Sequence, residues 1–206
     1  MRCILPIVEG PGDAKAAPIL LRNILWNYLI GYDIGVVQPI KANGRGAIDR
    51  VDGLETFIKY ANIRPNCGGI LVLVDADSDC ARDWAARACD RCRDKGVTVP
   101  IAVVCAVREY EAWFLASLDS IRGSGSLNQD IQFDGDPENF GGVKQWFTQQ
   151  MPPGRAYKET IDQALFTSMI DISLARENSR SFRRLCHAVE ELQAAMTAGS
   201  SSITPF

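Results

Sequence analysis

Hydrophobic positions along this chain alternate between two periods, short unbroken runs suited to strands and spaced positions suited to helices. Residues 2–8 form an apolar run with β-branched members, and Glu9, Gly10, Pro11, Gly12 and Asp13 end it with turn-forming chemistry, which predicts a strand followed by a loop. From Ala17 the residues Leu20, Leu21, Ile24, Leu25, Tyr28 and Leu29 recur at helical spacing up to the stop signal Gly31. One buried helix face is expected there, with Pro18 disturbing the first turn because it cannot donate a backbone hydrogen bond. The cycle then repeats as a strand over 34–40, a Gly-containing loop over 41–46 and a helix over 48–61 with Val51, Leu54 and Ile58 inward. Ile70, Leu71, Val72, Leu73 and Val74 are apolar at every position, as in a strand covered on both faces, and Asp75 follows at once. A helix over 82–95, a strand over 99–107 and a helix over 109–118 complete the series. Four strand-helix cycles predict an α/β fold, a mostly parallel sheet of about four strands flanked by helices with right-handed crossovers.

After Ile121 the pattern changes to Gly-Ser-Gly-Ser and then to a polar stretch through Asp130, Asp134, Asp136 and Glu138 that ends at Gly141 and Gly142. Helical spacing resumes over 143–150, 158–170 and 181–196, where Phe182, Leu185, Cys186, Val189, Leu192 and Met196 share a face. The expected organisation is a core over 1–120, a long polar and Gly-rich loop over 121–142, a C-terminal helical extension over 143–198 packing on the core, and a frayed tail over 199–206.

Composition supports a folded chain without staples, since 47 % of residues are hydrophobic and 23 % charged. Seven cysteines, an odd number scattered through apolar stretches, and the lack of an apolar leader before the first strand point to a reduced, cytoplasmic setting. No apolar run is long enough to span a bilayer, so no membrane partner is expected. The net charge of −3 does not attract phosphate, and any nucleic-acid binding must use a local basic patch or bridging metal ions.

The acidic residues change the picture. In a parallel α/β sheet, ligands bind beyond the carboxyl ends of the strands. Glu9 ends the first predicted strand, Asp75, Asp77 and Asp79 follow the third, and Glu109 and Glu111 follow the fourth. Carboxylates brought together at one edge repel one another unless a cation intervenes, and Mg²⁺ takes one or two carboxylates, keeps several waters and bridges phosphate oxygens. The alternative is that such acids are ordinary loop and cap residues, with Asp79 starting the next helix.

These residues carry a resemblance. Ile7-Val8-Glu9-Gly10, with Asp13-Ala14 after a two-residue gap, and Val74-Asp75-Ala76-Asp77 further on resemble the Toprim domain of topoisomerases, bacterial primases and OLD-family nucleases. The segment Arg108-Glu109-Tyr110-Glu111-Ala112-Trp113-Phe114-Leu115 and the later Ser179-Arg180-Ser181-Phe182 are similar to an uncharacterised bacterial Toprim-like family linked to mobile defence systems. The resemblance implies a Toprim/Rossmann-like core in which Asp75 and Asp77 hold Mg²⁺ or Mn²⁺ and Glu9 is a ligand or general acid/base, supported by Gly10 and Asp13. Glu109 or Glu111 would complete a second metal position, or one of them pairs with Arg108. The implied activity is phosphodiester cleavage by a defence-type nuclease, with nucleic acid as substrate, an ATPase as partner and homodimerisation as an option.

Lys41 and Arg45 lie at the same predicted edge beside Gly44 and Gly46 and are candidates to hold phosphate, although no Walker pattern is present. Lys158, Arg155 and the cluster Arg176, Arg180, Arg183 and Arg184 are further candidates for nucleic-acid contact, or else solvated helix faces. His187 is the only histidine, which excludes most histidine-based catalysis, and Cys89 and Cys92 have no second Cys/His pair to make a zinc site. Two other functions stay open. One is a degenerate Toprim module acting as a non-catalytic sensor or partner subunit. The other is a haloacid-dehalogenase-like phosphatase with Asp75 as nucleophile, against which the motif's place on the third strand counts.

Overall fold

The computed structural model describes residues 1–93 and 96–206. Strand β1 (Cys3–Val8) is followed by helix α1 (Pro11–Arg22), which widens into a π-helical segment (Asn23–Tyr28). Then come β2 (Gly35–Val36), β3 (Ile40–Lys41), α2 (Arg45–Asp49), α3 (Gly53–Asn62), β4 (Cys67–Asp75), α4 (Ala81–Cys92) and β5 (Ile101–Ala106). The rest comprises α5 (Ala112–Ala116), α6 (Leu118–Ile121), α7 (Val143–Gln149), a second π-helical turn (Glu159–Gln163), α8 (Ala164–Met169), α9 (Ile172–Asn178), α10 (Arg180–Ala198) and β6 (Ile203–Pro205).

The sheet is parallel throughout, in the order β2-β1-β4-β5-β6, with β3 also paired to β1. The expected α/β fold is thus observed, with six strands among the described residues in place of about four. The predicted strand over 34–40 is two short strands on the same edge of β1, because Pro39 between them lacks the N–H that continuous pairing needs. Residues 199–206, expected as a frayed tail, supply β6, which pairs with β5 in the register Ile101↔Ile203.

Burial of β4 follows its sequence. Leu71 and Leu73 enter the cluster on one face, while Ile70, Val72 and Val74 enter the cluster on the other. Each fully buried side chain of this size contributes about 1.5–3 kcal/mol. One face is covered by α3 and α4; the other is covered by α1 and C-terminal helices that contribute Phe166, Phe182, Leu185 and Val189. The helical extension is therefore the second cover of the sheet.

Several boundaries differ from expectation for local reasons. Helix α1 starts at Pro11 and runs through Pro18, since burial of Ala17, Leu20, Leu21, Ile24 and Leu25 outweighs the one missing backbone bond. The predicted helix over 48–61 is split in two by Asp52, whose φ of 57° is left-handed, and Val51 points outward at 90 % exposure instead of joining Leu54 and Ile58. The helix over 109–118 begins only at Ala112, because Glu109, Tyr110 and Glu111 form the turn leaving β5. Of the helix expected over 82–95, Asp94 and Lys95 lie outside the described residues. Among the described residues no helix is long and apolar enough to cross a membrane.

Candidate functional site

The chain leaves β1 for β2 and β3 on one side and returns to β4 on the other, so the order of strands reverses between β1 and β4. A crevice opens beyond the strand ends at such a reversal. Glu9 and Asp75 stand on its two sides. Glu9 Oε1 accepts the backbone N–H of Asp75 at 2.8 Å, and Asp75 Oδ1 accepts the backbone N–H of Tyr110 at 2.8 Å. Asp13, in the first turn of α1, accepts from Gly10 N at 2.9 Å and from Gln163 Nε2 at 2.7 Å. Three strand ends and the start of α1 are thus laced together through carboxylate oxygens.

The turn after β5 brings in Glu109 and Glu111. Arg108 takes a left-handed φ of 61° and its carbonyl accepts from Asp77 N at 2.8 Å, which folds the loops after β4 and β5 onto each other. Glu111 is 1 % exposed; its Oε1 accepts from the Tyr157 hydroxyl at 3.0 Å, and its Oε2 has no hydrogen-bond partner. Glu109 Oε1 accepts from Val143 N at 2.8 Å. Lys144, the next residue of α7, reaches Glu159 Oε1 at 2.6 Å, Glu111 Oε2 at 3.7 Å and Glu109 Oε2 at 3.8 Å.

The electrostatics follow from burial and from like charges. Desolvation, then Glu111, Asp13 and Glu9, push the Asp75 carboxyl well above the usual range. Desolvation also raises Glu9, against the Asp75 N–H and Arg45, which favour its charged form. Glu111 is pushed up to about 7, chiefly by burial, with Lys144 opposing and Glu109 adding to the rise. Burial works against the charge of Lys144, but Glu111 and Glu159 more than offset it, and its pKa is raised.

The remaining predicted residues occupy distinct places. Asp77 is exposed with a left-handed φ of 51° and lies near enough to raise Glu9. Asp79, also exposed, pairs with Arg45 at 2.9 Å. Arg45 further pairs with Asp49 at 3.0 Å, donates to the Asp75 carbonyl and lies over the Trp84 ring at 4.3 Å, so its guanidinium is engaged by the protein. Lys41 is exposed at the end of β3 beside Val8. Lys158 is exposed ahead of the π turn, and its backbone N–H donates to Asp162 at 2.6 Å. Arg180 is exposed at the start of α10, next to Ser181, whose hydroxyl accepts from Trp113 Nε1 at 2.8 Å. Arg176 lies over the Tyr28 ring at 4.6 Å and Arg183 donates to the carbonyls of Arg176 and Glu177. Cys89 and Cys92 are buried in α4, and His187 is an exposed residue 3.8 Å from Glu191.

Sequence reasoning missed Lys144, Tyr157, Glu159 and Gln163. No local motif marks them, because their place at the acidic edge depends on how α7 and the π turn pack against α1 and β5. The one available signal was the pair Gly141-Gly142 ahead of Lys144, a plain helix start.

The donor set is all carboxylate oxygen, the type that Mg²⁺ takes, and Glu111 Oε2 is a buried acceptor without a donor. Among the described residues no three His, Cys, Asp or Glu side chains are arranged as a group that could hold a metal ion. The oxygen chemistry is of the kind a hard cation takes, but these side chains do not stand together as a ready-made group for one.

Fold and site together define a Rossmann-like α/β protein with carboxylates gathered at the strand ends where the strand order reverses. The chain belongs to the family described as Domain of unknown function (DUF4276), which it matches over residues 8–190. No curated protein and no solved structure matches it.

Proposed function

We propose that the chain is a Toprim-like, Mg²⁺-dependent phosphodiester hydrolase, a nuclease of the bacterial defence type. The observation that carries this reading is the carboxylate of Asp75, crowded by Glu9, Asp13 and Glu111 at the strand reversal and held in place by Tyr110 N–H. Asp75, with Glu9 or Asp77, would hold the ion, which when bound supplies a water activated near neutral pH and neutralises charge on the phosphate. Glu9 has one carboxylate oxygen committed to the Asp75 N–H, and its raised pKa suits a group that exchanges a proton with a nucleophile or leaving group. Asp13 and Gln163 hold the start of α1 against the π turn and so keep Glu9 facing Asp75. Lys41, Lys158 and Arg180, all exposed, are among the cations that would meet a nucleic-acid backbone.

The test is to incubate the purified chain with plasmid, single-stranded DNA and RNA in Mg²⁺ or Mn²⁺, alone and with a candidate partner ATPase. Cleavage that Asp75→Asn abolishes is the expected result. Cleavage unchanged by Asp75→Asn, or no divalent binding by calorimetry together with no cleavage, overturns the proposal. A second reading, a non-catalytic sensor or partner subunit, is favoured by one observation: Glu9 and Asp75 each already accept a backbone N–H. Divalent binding with no cleavage in any mixture, beside tight association with a protein partner, selects it.

A further inference from the structure

Across the strand ends the charges fall in a fixed order. Strand β3 pairs with β1, β1 with β4 and β4 with β5, so Lys41, Glu9, Asp75 and Arg108 follow one another across the sheet. Lys41 is level with Val8, the residue before Glu9, and Arg108 lies just past Ala106, the partner of Asp75. Neighbouring strands are about 4.8 Å apart, which separates Lys41 from Arg108 by about 14 Å in the direction across the strands, with both carboxylates between them. Both cations are exposed, and among the described residues neither side chain has an ion pair or hydrogen bond. The pairing of Arg108 with Glu109 or Glu111 that the sequence allows is not made: Glu109 accepts from Val143 N, Glu111 accepts from Tyr157, and Lys144 is the cation beside both. Arg108 instead passes Gly141, where a Cβ would lie 3.6 Å from Nη1. Its backbone is fixed, since its carbonyl accepts from Asp77 N at 2.8 Å while φ is a left-handed 61°. Arg45, by contrast, has its donors taken by Asp49, Asp79 and the Asp75 carbonyl.

We propose that Lys41 and Arg108 are two flanking phosphate sites, which hold a nucleic-acid backbone across the strand ends so that the phosphate between them lies over Glu9 and Asp75. The identity of the ligand rests on the phosphodiester reading above; the place and use of the two cations rest on the order of the strands. In a duplex, the phosphates of one strand recur about every 3.4 Å along the axis, so a row about 14 Å long is met by about four nucleotides and not by a mononucleotide. The net charge of −3 and the acids in the middle of the row repel phosphate, and a cation on each side supplies the local attraction that the whole chain lacks. Arg108 adds geometry to charge, because a guanidinium offers two parallel N–H donors to one phosphate. Both residues bind the backbone on either side of the reacting phosphate, and neither is catalytic in this account.

The experiment measures binding of fluorescein-labelled single-stranded DNA to the full chain by anisotropy over a range of salt, in EDTA so that binding is read without turnover. Arg108→Ala and Lys41→Ala should each make the slope of log K against log salt shallower by about 0.7, which at about 0.1 M salt is a fivefold loss of affinity. Arg108→Lys keeps the charge and should keep the slope, a result that a merely structural role for the arginine would not give. Arg64→Ala, which removes an exposed cation ahead of β4 at the opposite end of the sheet, should leave the slope as it was. Should Arg108→Ala fail to fold, Arg108→Gly removes the same charge and suits the left-handed φ. An unchanged slope in the folded Arg108 variant, or no DNA binding by the unaltered chain, overturns the proposal. Cleavage that needs Asp75, beside an unchanged slope in the Arg108 variant, would sink these flanking sites alone. Shallower slopes without cleavage in Mg²⁺ or Mn²⁺ would sink the hydrolase reading and leave the two phosphate sites standing.

Discussion

Glu9 closes the joint between β1 and β4 by accepting the backbone N–H of Asp75 at 2.8 Å. The bond makes Glu9 structural whatever else it does, because that N–H lies at the end of the strand where no further strand partner reaches it. Glu9→Ala should therefore cost about 1–3 kcal/mol, the penalty for a buried donor left unpaired. Glu9→Gln keeps an oxygen acceptor and should melt close to the unaltered chain. Urea denaturation of the two variants checks this; equal losses would show that the bond carries no weight.

Stability should fall as pH rises from about 4.5 to about 7. The carboxyl of Glu111 moves from an ordinary 4.5 up to about 7 in the folded chain, mainly through burial. Below pH 4.5 it is protonated folded and unfolded, so its contribution is fully present; above that the unfolded chain ionises first and the contribution is lost as pH passes 7. The loss is about 3 kcal/mol for this group, and Glu9 and Asp75, both raised, act in the same direction. Denaturation at about pH 5 and about pH 8 should show the difference, and Glu111→Gln should shrink it.

Gly12 is where α1 touches the π turn. A Cβ there would meet Gln163 Oε1 at 2.0 Å and Glu159 Cβ at 2.9 Å. Gly to Ala within a helix ordinarily stabilises by about 0.5–1 kcal/mol. Gly12→Ala should instead destabilise by roughly 1–3 kcal/mol through overpacking and break the bond from Gln163 to Asp13. The sign of the change in Tm decides the matter.

Arg45 joins the loop after β3 to the end of β4 through the Asp75 carbonyl, Asp79, Asp49 and the Trp84 ring. A lysine cannot reproduce a planar fork that bonds in several directions while stacking on an indole. Arg45→Lys should cost roughly 1–3 kcal/mol in thermal or chemical denaturation. The same substitution should leave the salt dependence of any nucleic-acid binding unchanged, since the guanidinium faces protein groups; a shallower salt slope would place it on phosphate.

Much of the fold was legible because burial writes itself into local patterns. The unbroken run from Ile70 through Val74 could only be a strand covered on both faces, and the face shared by Phe182, Leu185 and Val189 is α10. Breaks governed by single residues were not legible, because a left-handed Asp52 or a Pro39 between two short strands is decided by what surrounds it. Strand β6 was illegible for another reason: Ile203 to Pro205 carry too weak a pattern to announce a strand, and the unpaired edge of β5 recruits them.

The sequence by itself determined that this is an α/β chain with acids after its strands, since alternating periods and strand-terminal carboxylates are properties of neighbouring residues. Tertiary structure alone decided which of those acids meet. Glu9 and Asp75 became neighbours because the strand order reverses between β1 and β4, and Lys144 came to stand among Glu109, Glu111 and Glu159 because α7 and the π turn fold over the end of β5. Charge interactions act through space over a few ångströms, so their partners are set by packing and leave no spacing in the chain.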